Sequence, residues 1–334
     1  MFPFDTLPSA LRPQRIATSV MTVGVDGALA INGAPPPRDM AAAIGSFDGV
    51  HLGHQHVIES AIAAARTRSV ASAVICFDPH PQAFFHPAGE PFRLMRLSQQ
   101  VRAFEALGAD HALVVRFDGH LSGLTAEDFA SVILRGGLGL SHVSAGFDFQ
   151  FGKRGLGHAA DLVAFGERFC FTTDILPCQS DAAGHKLSSS AVRDALLVGD
   201  ARTATMILGR PQAYLGEVIH GAKQGRTIDF PTLNLRLGDY QRPRYGIYVT
   251  QTRLGDGRTV NGVSNIGVRP TVGGDIELLE TYLFDFNEDI YGQTVETALL
   301  DFLRPEAKFD SFETMKLEIQ NDAAKARAWF GRTD

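Results

Sequence analysis

The chain has 334 residues, 45% of them hydrophobic, and its 31 Lys and Arg against 37 Asp and Glu give a formal net charge of -6. This length and composition predict two domains, each able to bury a core, and the mildly acidic balance argues against a large nucleic-acid interface. No apolar run reaches the roughly 18 residues of a membrane span, and the N-terminus lacks the pattern of a signal peptide. The three cysteines show no metal-ligand spacing, which predicts that their thiols are reduced. We therefore expect a soluble cytoplasmic protein that binds neither nucleic acid nor membrane. The sequence leaves open whether copies of the chain form a homo-oligomer.

The first half of the chain alternates short apolar runs with helical patterns. Buried strands are predicted at 40–44, 71–77, 111–117 and 142–147. Helices are predicted at 53–68, 98–107 and 125–135. This alternation is typical of a parallel sheet covered by helices.

The pattern changes after about residue 208. Strands are predicted at 213–220, 245–252, 258–267, 277–286 and 293–302, separated by turn signals. Such a series favours a small antiparallel barrel, and a last helix follows, with Asp310 and Glu313 as its predicted capping pair. The predicted division is an extension of unknown role at 1–38, a first domain at 39–185, a helical connector at 186–206 and a second domain at 207–334.

Residues 45–55, GSFDGVHLGHQ, lie where a strand ends and a helix begins, which is the usual ligand crevice of an open α/β sheet. Free backbone N–H groups at a helix start suit phosphate. His51 and His54 are three residues apart, so both imidazoles can face one ligand and stabilise charge on a nucleotide α-phosphate and a departing pyrophosphate. Two other interpretations stay open, a structural role or half of a metal site, although a zinc helix would show His at i and i+4 with a Glu.

The second half carries polar residues suited to phosphoryl transfer. GAKQGRT (221–227) lacks P-loop spacing but can form a glycine-rich turn that holds phosphates. Thr232 and Asn234 are two apart, so on an extended segment they share a face, and their oxygens suit Mg²⁺; the alternative is an ordinary turn after Pro231. Glu280 lies in an otherwise apolar strand, a poor place for an unpaired carboxylate, so it is either functional or held in a salt bridge.

These motifs resemble, in order, those of bacterial bifunctional riboflavin kinase/FMN adenylyltransferases, also called FAD synthetases. GSFDGVHLGHQ resembles the family's G-N-F-D-G-V-H-x-G-H-Q signature, which places it among H-x-G-H nucleotidyltransferases. The other matching segments of the first half are FDPHP (77–81), GFDFQFG (146–152) and KLSSSAVR (186–193). Those of the second half are LGRP (208–211), GAKQGR (221–226), FPTLN (230–234), GVSNIGVRPT (262–271), ETYLFDFNEDIYG (280–292) and FLRPEAKFDSFETMKLEIQND (302–322). The resemblance covers nearly the whole chain after residue 40.

The resemblance implies a Rossmann-like α/β nucleotidyltransferase domain, then a small antiparallel β-barrel domain with a C-terminal helix. It implies phosphorylation of riboflavin to FMN by ATP with Mg²⁺ in the second domain, and adenylation of FMN to FAD plus pyrophosphate in the first. The implied catalytic residues are His51, His54 and Glu280. The implied ATP ligands are Gly45, Ser46, Phe47, Asp48, Gly53, Ser188, Ser189, Arg193, Gly221, Lys223, Gly225 and Arg226. The implied flavin contacts are Phe147, Asp148, Phe149, Arg304 and Glu313, with Mg²⁺ as the alternative ligand of Asp148. The implied metal ligands are Thr232 and Asn234.

Some positions depart from the family pattern or have a structural alternative. FGKRGLG shifts the basic residue one place earlier than the family's F-G-x-x-R-x-G, which leaves open whether Arg154 reaches the substrate. Asp229 replaces the usual Gly before Phe-Pro-Thr. The serine run at 188–190 is by itself typical of a helix cap, and an ion pair with Glu306 or Glu313 is the structural alternative for Arg304.

Two other functions remain open at this point. A class I aminoacyl-tRNA synthetase fragment would fit KLSSS loosely, and amino-acid-dependent pyrophosphate exchange would identify it. A flavin-sensing regulator without turnover would fit Asp229, and riboflavin binding without ATP consumption would identify it.

Overall fold

The computed structural model describes residues 16–25, 28–32, 35–180, 184, 186–220, 232–271 and 274–331. Among these, 16–90 with 100–187 form one compact unit, and 91–99 with 188–331 form another. The predicted phosphate ligands Gly221, Lys223, Gly225 and Arg226, together with Asp229, lie outside the described residues. None of the helices in the described ranges is long and apolar enough to cross a membrane.

The first unit contains strands and helices in alternation. Its strands are β1 Ala17–Val23, β2 Leu29–Asn32, β3 Ala41–Ile44, β4 Ser72–Asp78, β5 His111–Arg116, β6 His142–Gly146, β7 Gln150–Phe151, β8 Gly157–His158 and β9 Thr172–Leu176. Its helices are α1 Leu52–Arg68, α2 Pro81–Phe85, α4 Gly119–Gly123, α5 Ala126–Asp128 and α6 Ala159–Phe169, while α3 Leu97–Leu107 contributes residues to both units.

The main sheet of this unit has the order β2-β1-β5-β4-β3-β6-β9. All of its pairs are parallel except β1 with β2, so the predicted parallel α/β sheet is confirmed. The hairpin of β1 and β2 lies in a stretch for which the sequence predicted no structure. The sequence feature that favours a strand at β1 is the run ATSVMTV, which is rich in β-branched residues. In this strand Met21 and Val23 are buried, while Val20 is exposed.

The predicted helix at 125–135 is only partly α-helical. Thr125 caps the short helix α5, and a π-helical segment, Phe129–Gly137, replaces the expected continuation. The wider turn is visible in the hydrogen bond from the Leu138 N–H to the Ile133 carbonyl, 2.9 Å. It places four apolar side chains in the core, those of Phe129, Ala130, Ile133 and Leu134.

The second unit is built on a curled antiparallel sheet of order β10-β15-β12-β13-β14-β11, as the predicted barrel required. Its strands are β10 Gln212–Glu217, β11 Thr232–Arg236, β12 Gly246–Arg253, β13 Thr259–Thr271, β14 Gly274–Leu283 and β15 Thr294–Pro305. Its helices are α7 Ser189–Val198, α8 Ala201–Leu208 and α9 Phe312–Phe330. Tyr214, Tyr240 and Tyr248 are fully buried beneath this sheet.

The start of α9 corrects the predicted capping pair. Ser311, not Asp310, is the N-cap, and its hydroxyl accepts from the Thr314 N–H at 3.1 Å. The Thr314 hydroxyl in turn accepts from the Ser311 N–H at 3.3 Å. The capping box is therefore shifted by one residue from the predicted Asp310–Glu313 pair.

Candidate active sites

The turn after β3 is held in an unusual conformation. Phe47, Gly49 and Val50 all have positive φ, at 50°, 84° and 40°, a region that non-glycine residues rarely adopt. The Gln100 side-chain amide donates to the Phe47 carbonyl at 3.1 Å and so fixes the turn. A Cβ on Gly45 would lie 3.2 Å from the buried Phe47 ring, which explains why glycine stands there. The strained turn delivers the chain into the start of α1 in one defined geometry.

His51 and His54 are brought together at the first turn of α1, as predicted. His51 is the buried N-cap, and its Nδ1 accepts from the His54 N–H at 3.2 Å. The two rings stack with centroids 3.6 Å apart. Because Nδ1 accepts, the neutral His51 ring carries its proton on Nε2, which makes Nε2 the donor atom of this ring. Among the described residues, no three His, Cys, Asp or Glu side chains form a group that could hold a metal ion.

A cavity of about 580 Å³ opens beside this turn. Its walls are largely aromatic, formed by Phe47, Phe77, Phe85, Phe117, Phe129, Phe149 and Phe151. The predicted ligands Gly45, Ser46, Phe47, His54, Asp148 and Phe149 are among its lining residues, whereas Asp48, His51, Gly53 and Phe147 are not. An apolar, aromatic pocket with a few polar groups at one end is suited to a flat, conjugated ligand with a charged tail.

Asp148 is engaged by a residue that sequence reasoning did not single out. The Lys186 Nζ lies 3.2 Å from the Asp148 carboxylate and 5.2 Å from the centre of the Phe147 ring, which is 47% exposed. Lys186 begins the segment KLSSSAVR, for which the sequence resemblance implies ligand roles only at the serines and the arginine.

Ser188, Ser189 and Arg193 belong to the second unit by their packing. Ser188 caps α7, and its hydroxyl accepts from the Ala191 N–H at 3.2 Å, so the helix-cap interpretation is correct for this residue. Arg193 donates from Nε to the Phe92 carbonyl at 2.9 Å. The role of these residues toward ATP stays a prediction.

The activity implied by the sequence resemblance predicts that Gly53→Ala lowers FAD formation from FMN by roughly tenfold, because small displacements of reacting groups are costly. A Cβ on Gly53 would lie 3.1 Å from the His51 ring and 3.2 Å from the Leu187 carbonyl oxygen, so the imidazole must shift. Steady-state assays of both flavin products check this, and FMN formation from riboflavin should not change. Gly119→Ala is the matched control, since a Cβ there meets no atom within 4 Å; equal effects of both variants would contradict the explanation.

In the second unit, the predicted metal ligands lie beside the predicted base. Asn234 on β11 is directly opposite Glu280 on β14, and Thr232 is opposite Tyr282. Asn234 is 2% exposed, and its Oδ1 has no hydrogen-bond partner in the described part of the chain. A buried oxygen of this kind is costly unless something binds it. The sequence predicted the residues but not their cross-strand alignment.

Glu280 is held by Arg269, a residue missed at the sequence level although it lies in the matching segment GVSNIGVRPT. The Arg269 Nε donates to the Glu280 carboxylate at 2.7 Å, and its Nη2 donates to the same oxygen. The salt-bridge interpretation of Glu280 is therefore correct as a description of its contacts. It does not exclude catalysis, because a paired carboxylate can still accept a hydrogen bond.

Arg304 forms neither of the ion pairs that were considered for it. Its guanidinium binds Asp322, with Nη2 at 2.6 Å from Oδ2, and its Nε lies 3.4 Å from Glu318. Both acids project from α9 one turn apart, so the helix register brings them to Arg304. Glu313 is exposed in the first turn of α9 and does not line the cavity described next.

Two cavities meet near Thr232. The larger, about 340 Å³, is lined by Thr232, Asn265, Arg269, Glu280, Tyr282, Arg304, Phe309 and Asp322, among others. The smaller, about 260 Å³, also contains Thr232 and is otherwise lined mainly by Val218, Leu233, Leu283 and residues 286–291. Thr232 therefore lines both spaces.

Comparisons with known proteins agree with both halves of the chain. Residues 34–191 match the family model for FAD synthetase, and residues 208–330 match that for riboflavin kinase. A bifunctional riboflavin kinase/FMN adenylyltransferase of Haemophilus influenzae is 40% identical, over 87% of this chain and 94% of its own. The protein of the same description from Escherichia coli K12 is 37% identical, over 89% of this chain and 95% of its own. The crystal structure of a macrolide-efflux protein from Streptococcus pneumoniae has a TM-score of 0.78 at 31% identity, over 88% of this chain and 95% of its own.

Proposed function

Because this chain belongs to the bifunctional riboflavin kinase/FMN adenylyltransferase family, we propose that each of its two activities uses one of the cavities described above. The chain phosphorylates riboflavin to FMN with ATP, and it adenylates FMN with a second ATP to give FAD and pyrophosphate. One observation carries the assignment. The stacked histidines adjoin the aromatic cavity of the first unit, whereas the carboxylate and the unpartnered amide oxygen meet across two strands of the second.

In the first unit, a phosphate oxygen of FMN attacks the α-phosphorus of ATP. A new P–O–P bond forms, the bond from the α-phosphorus to the bridging oxygen breaks, and pyrophosphate leaves. His54 and the Nε2–H of His51 would donate to the charge that accumulates on the α-phosphate oxygens. The start of α1 adds free N–H groups to the same anion. This role for the histidines is supported by their stacking and by the tautomer that the His51 cap imposes.

In the second unit, the 5'-hydroxyl oxygen of riboflavin attacks the γ-phosphorus of ATP and ADP leaves. Glu280 would accept the hydroxyl proton or its hydrogen bond, and so align the alcohol. Arg269 would act as a positioning residue by holding that carboxylate at the wall of the cavity. Arg304, fixed by Asp322, would contact the flavin from the same cavity.

We assign Thr232 and Asn234 to Mg²⁺. The buried Asn234 Oδ1 and the Thr232 hydroxyl on the same face of β11 are hard oxygen ligands, so the residues fit the ion. Bound there with ATP, the ion would neutralise phosphate charge. The two protein oxygens leave most of its coordination to water and phosphate.

Asn234→Ala should raise the Mg²⁺ concentration needed for half-maximal FMN formation by at least tenfold, which corresponds to about 1.4 kcal/mol of lost binding. The lost amide oxygen is the physical reason. Titration of riboflavin kinase activity with Mg²⁺ measures the effect. FAD formation from supplied FMN by the same preparation is the control, and an unchanged Mg²⁺ titration would remove Asn234 from the metal site.

Incubation with riboflavin, ATP and Mg²⁺, followed by chromatography of the flavins, tests the overall assignment. We expect FMN first and FAD after it, and no products when EDTA is present in excess. Riboflavin binding without ATP consumption would instead indicate a flavin-sensing protein.

We also propose that the chain works in the cytoplasm on free riboflavin, FMN and ATP. ATP is the substrate of both steps, and Cys76, Cys170 and Cys178 are all free thiols. Burial raises the pKa of the Cys76 thiol to about 12, so this cysteine is unreactive.

A further inference from the structure

Arg154 occupies a strained turn at the wall of the aromatic cavity. It lies in the middle of the short 3₁₀ turn Lys153–Gly155, with φ 59° and ψ 19°. The turn is fixed by hydrogen bonds from the Gly155 N–H to the Gly152 carbonyl, 2.9 Å, and from the Lys153 N–H to the Leu124 carbonyl, 2.6 Å. A non-glycine residue in this conformation costs of order 1 kcal/mol or more, and such strain often marks a functional site.

Among the described residues that line this cavity, Arg154 is the one that carries a permanent positive charge. None of the described carboxylates forms an ion pair with it, in contrast to Lys186, which binds Asp148. His54 lines the same cavity, and so does Phe149. The space therefore combines aromatic walls, an imidazole, the Asp148 carboxylate paired with Lys186, and one arginine that forms no ion pair with a described acid.

FMN differs from riboflavin in the group that such an arginine would recognise. A phosphate monoester carries nearly two negative charges at pH 7, and a guanidinium binds phosphate oxygens through two parallel N–H donors. Riboflavin ends in an uncharged hydroxyl. We propose that Arg154 binds the phosphate of FMN in the cavity of the first unit and thereby makes this cavity select FMN over riboflavin.

This inference rests on the proposed function of the first unit and adds the residue that determines its substrate. The flavin ring would lie against the phenylalanines, and the phosphate would lie between Arg154 and His54, where it must be to attack ATP. The one-place shift of the basic residue in FGKRGLG is then accommodated, because the left-handed turn still brings Arg154 to the cavity.

The test compares two flavins in the adenylyltransferase assay, with FAD measured by chromatography. Arg154→Gln, which removes the charge, should raise the KM for FMN by roughly 10- to 100-fold, in the range expected for a lost charge-assisted hydrogen bond. Lumiflavin has the flavin ring without ribityl chain or phosphate and cannot be phosphorylated. Its inhibition constant against FMN should stay the same in the variant.

Lys153→Gln is the matched control, since it removes the neighbouring exposed cation, which does not line the cavity. Arg154→Gly is the second variant, because glycine tolerates the positive φ without strain and should show the same KM change with an unaltered melting temperature. An unchanged KM for FMN in both Arg154 variants, or a parallel rise of the lumiflavin constant, would overturn the inference. If the unsubstituted protein made no FAD from FMN, the proposed function itself would fail instead.

Discussion

Replacing His51 and His54 together by alanine should lower FAD formation from FMN by at least ~10³-fold, the scale seen when preorganised donors to transition-state charge are removed. The two rings stack at 3.6 Å beside the start of α1, and of the two only His54 is itself a lining residue of the aromatic cavity of the first unit. FMN formation from riboflavin should remain at its original rate, because it uses a different unit. Separate assays with FMN and with riboflavin as substrate measure both rates.

Loss of the His51 cap can also destabilise α1, by about 1 kcal/mol. The pair His51→Asn with His54→Gln therefore serves as a second variant, since asparagine can still cap the helix. His56→Ala is the control, an exposed histidine on the same helix. If the double variants lost FMN formation to the same degree as FAD formation, the assignment of separate sites would be wrong.

Glu280→Gln should reduce FMN formation from riboflavin by roughly 10²- to 10⁴-fold, the range for a lost general base. Glutamine keeps the shape and an oxygen that can accept from Arg269, so the fold of β14 should survive. FAD formation from supplied FMN should be unaffected. Kinase assays at saturating ATP, with melting temperatures for each protein, check both statements.

Asp285→Asn offers a matched control for this change. Asp285 also binds an arginine through its carboxylate, with Arg327 Nη1 at 2.9 Å, yet it lines neither described cavity of the second unit. The substituted protein should keep its kinase activity and nearly the same melting temperature, because exposed ion pairs contribute little to stability. A Glu280→Gln protein that phosphorylates riboflavin at the normal rate would show that the residue is structural.

Local sequence patterns were sufficient for the parts of the protein that depend on periodicity. The strands at 40–44 and 111–117 and the helix at 53–68 follow from apolar spacing, and the structure confirms them. The proximity of His51 and His54 follows from helical geometry, since residues three apart share a face.

Contacts between distant segments could not be predicted in the same way. Arg269 reaches Glu280 because β13 and β14 pair in one register, and Gln100 fixes the turn at Phe47 across 53 residues of sequence. The place of β1 in the sheet could not be predicted, because its parallel partner β5 is distant in the sequence, with Ala17 opposite His111. Such partners are set by the tertiary fold rather than by local pattern.

Isotope labelling of the two ATP phosphates tests the central claim most directly. With riboflavin as substrate, label from the γ-phosphate should enter FMN and then persist in FAD, whereas label from the α-phosphate should appear in FAD and never in FMN. This outcome requires one reaction that transfers the terminal phosphoryl group and a second that transfers the adenylyl group. α-Label in FMN, or FAD that lacks the γ-label, would contradict the account.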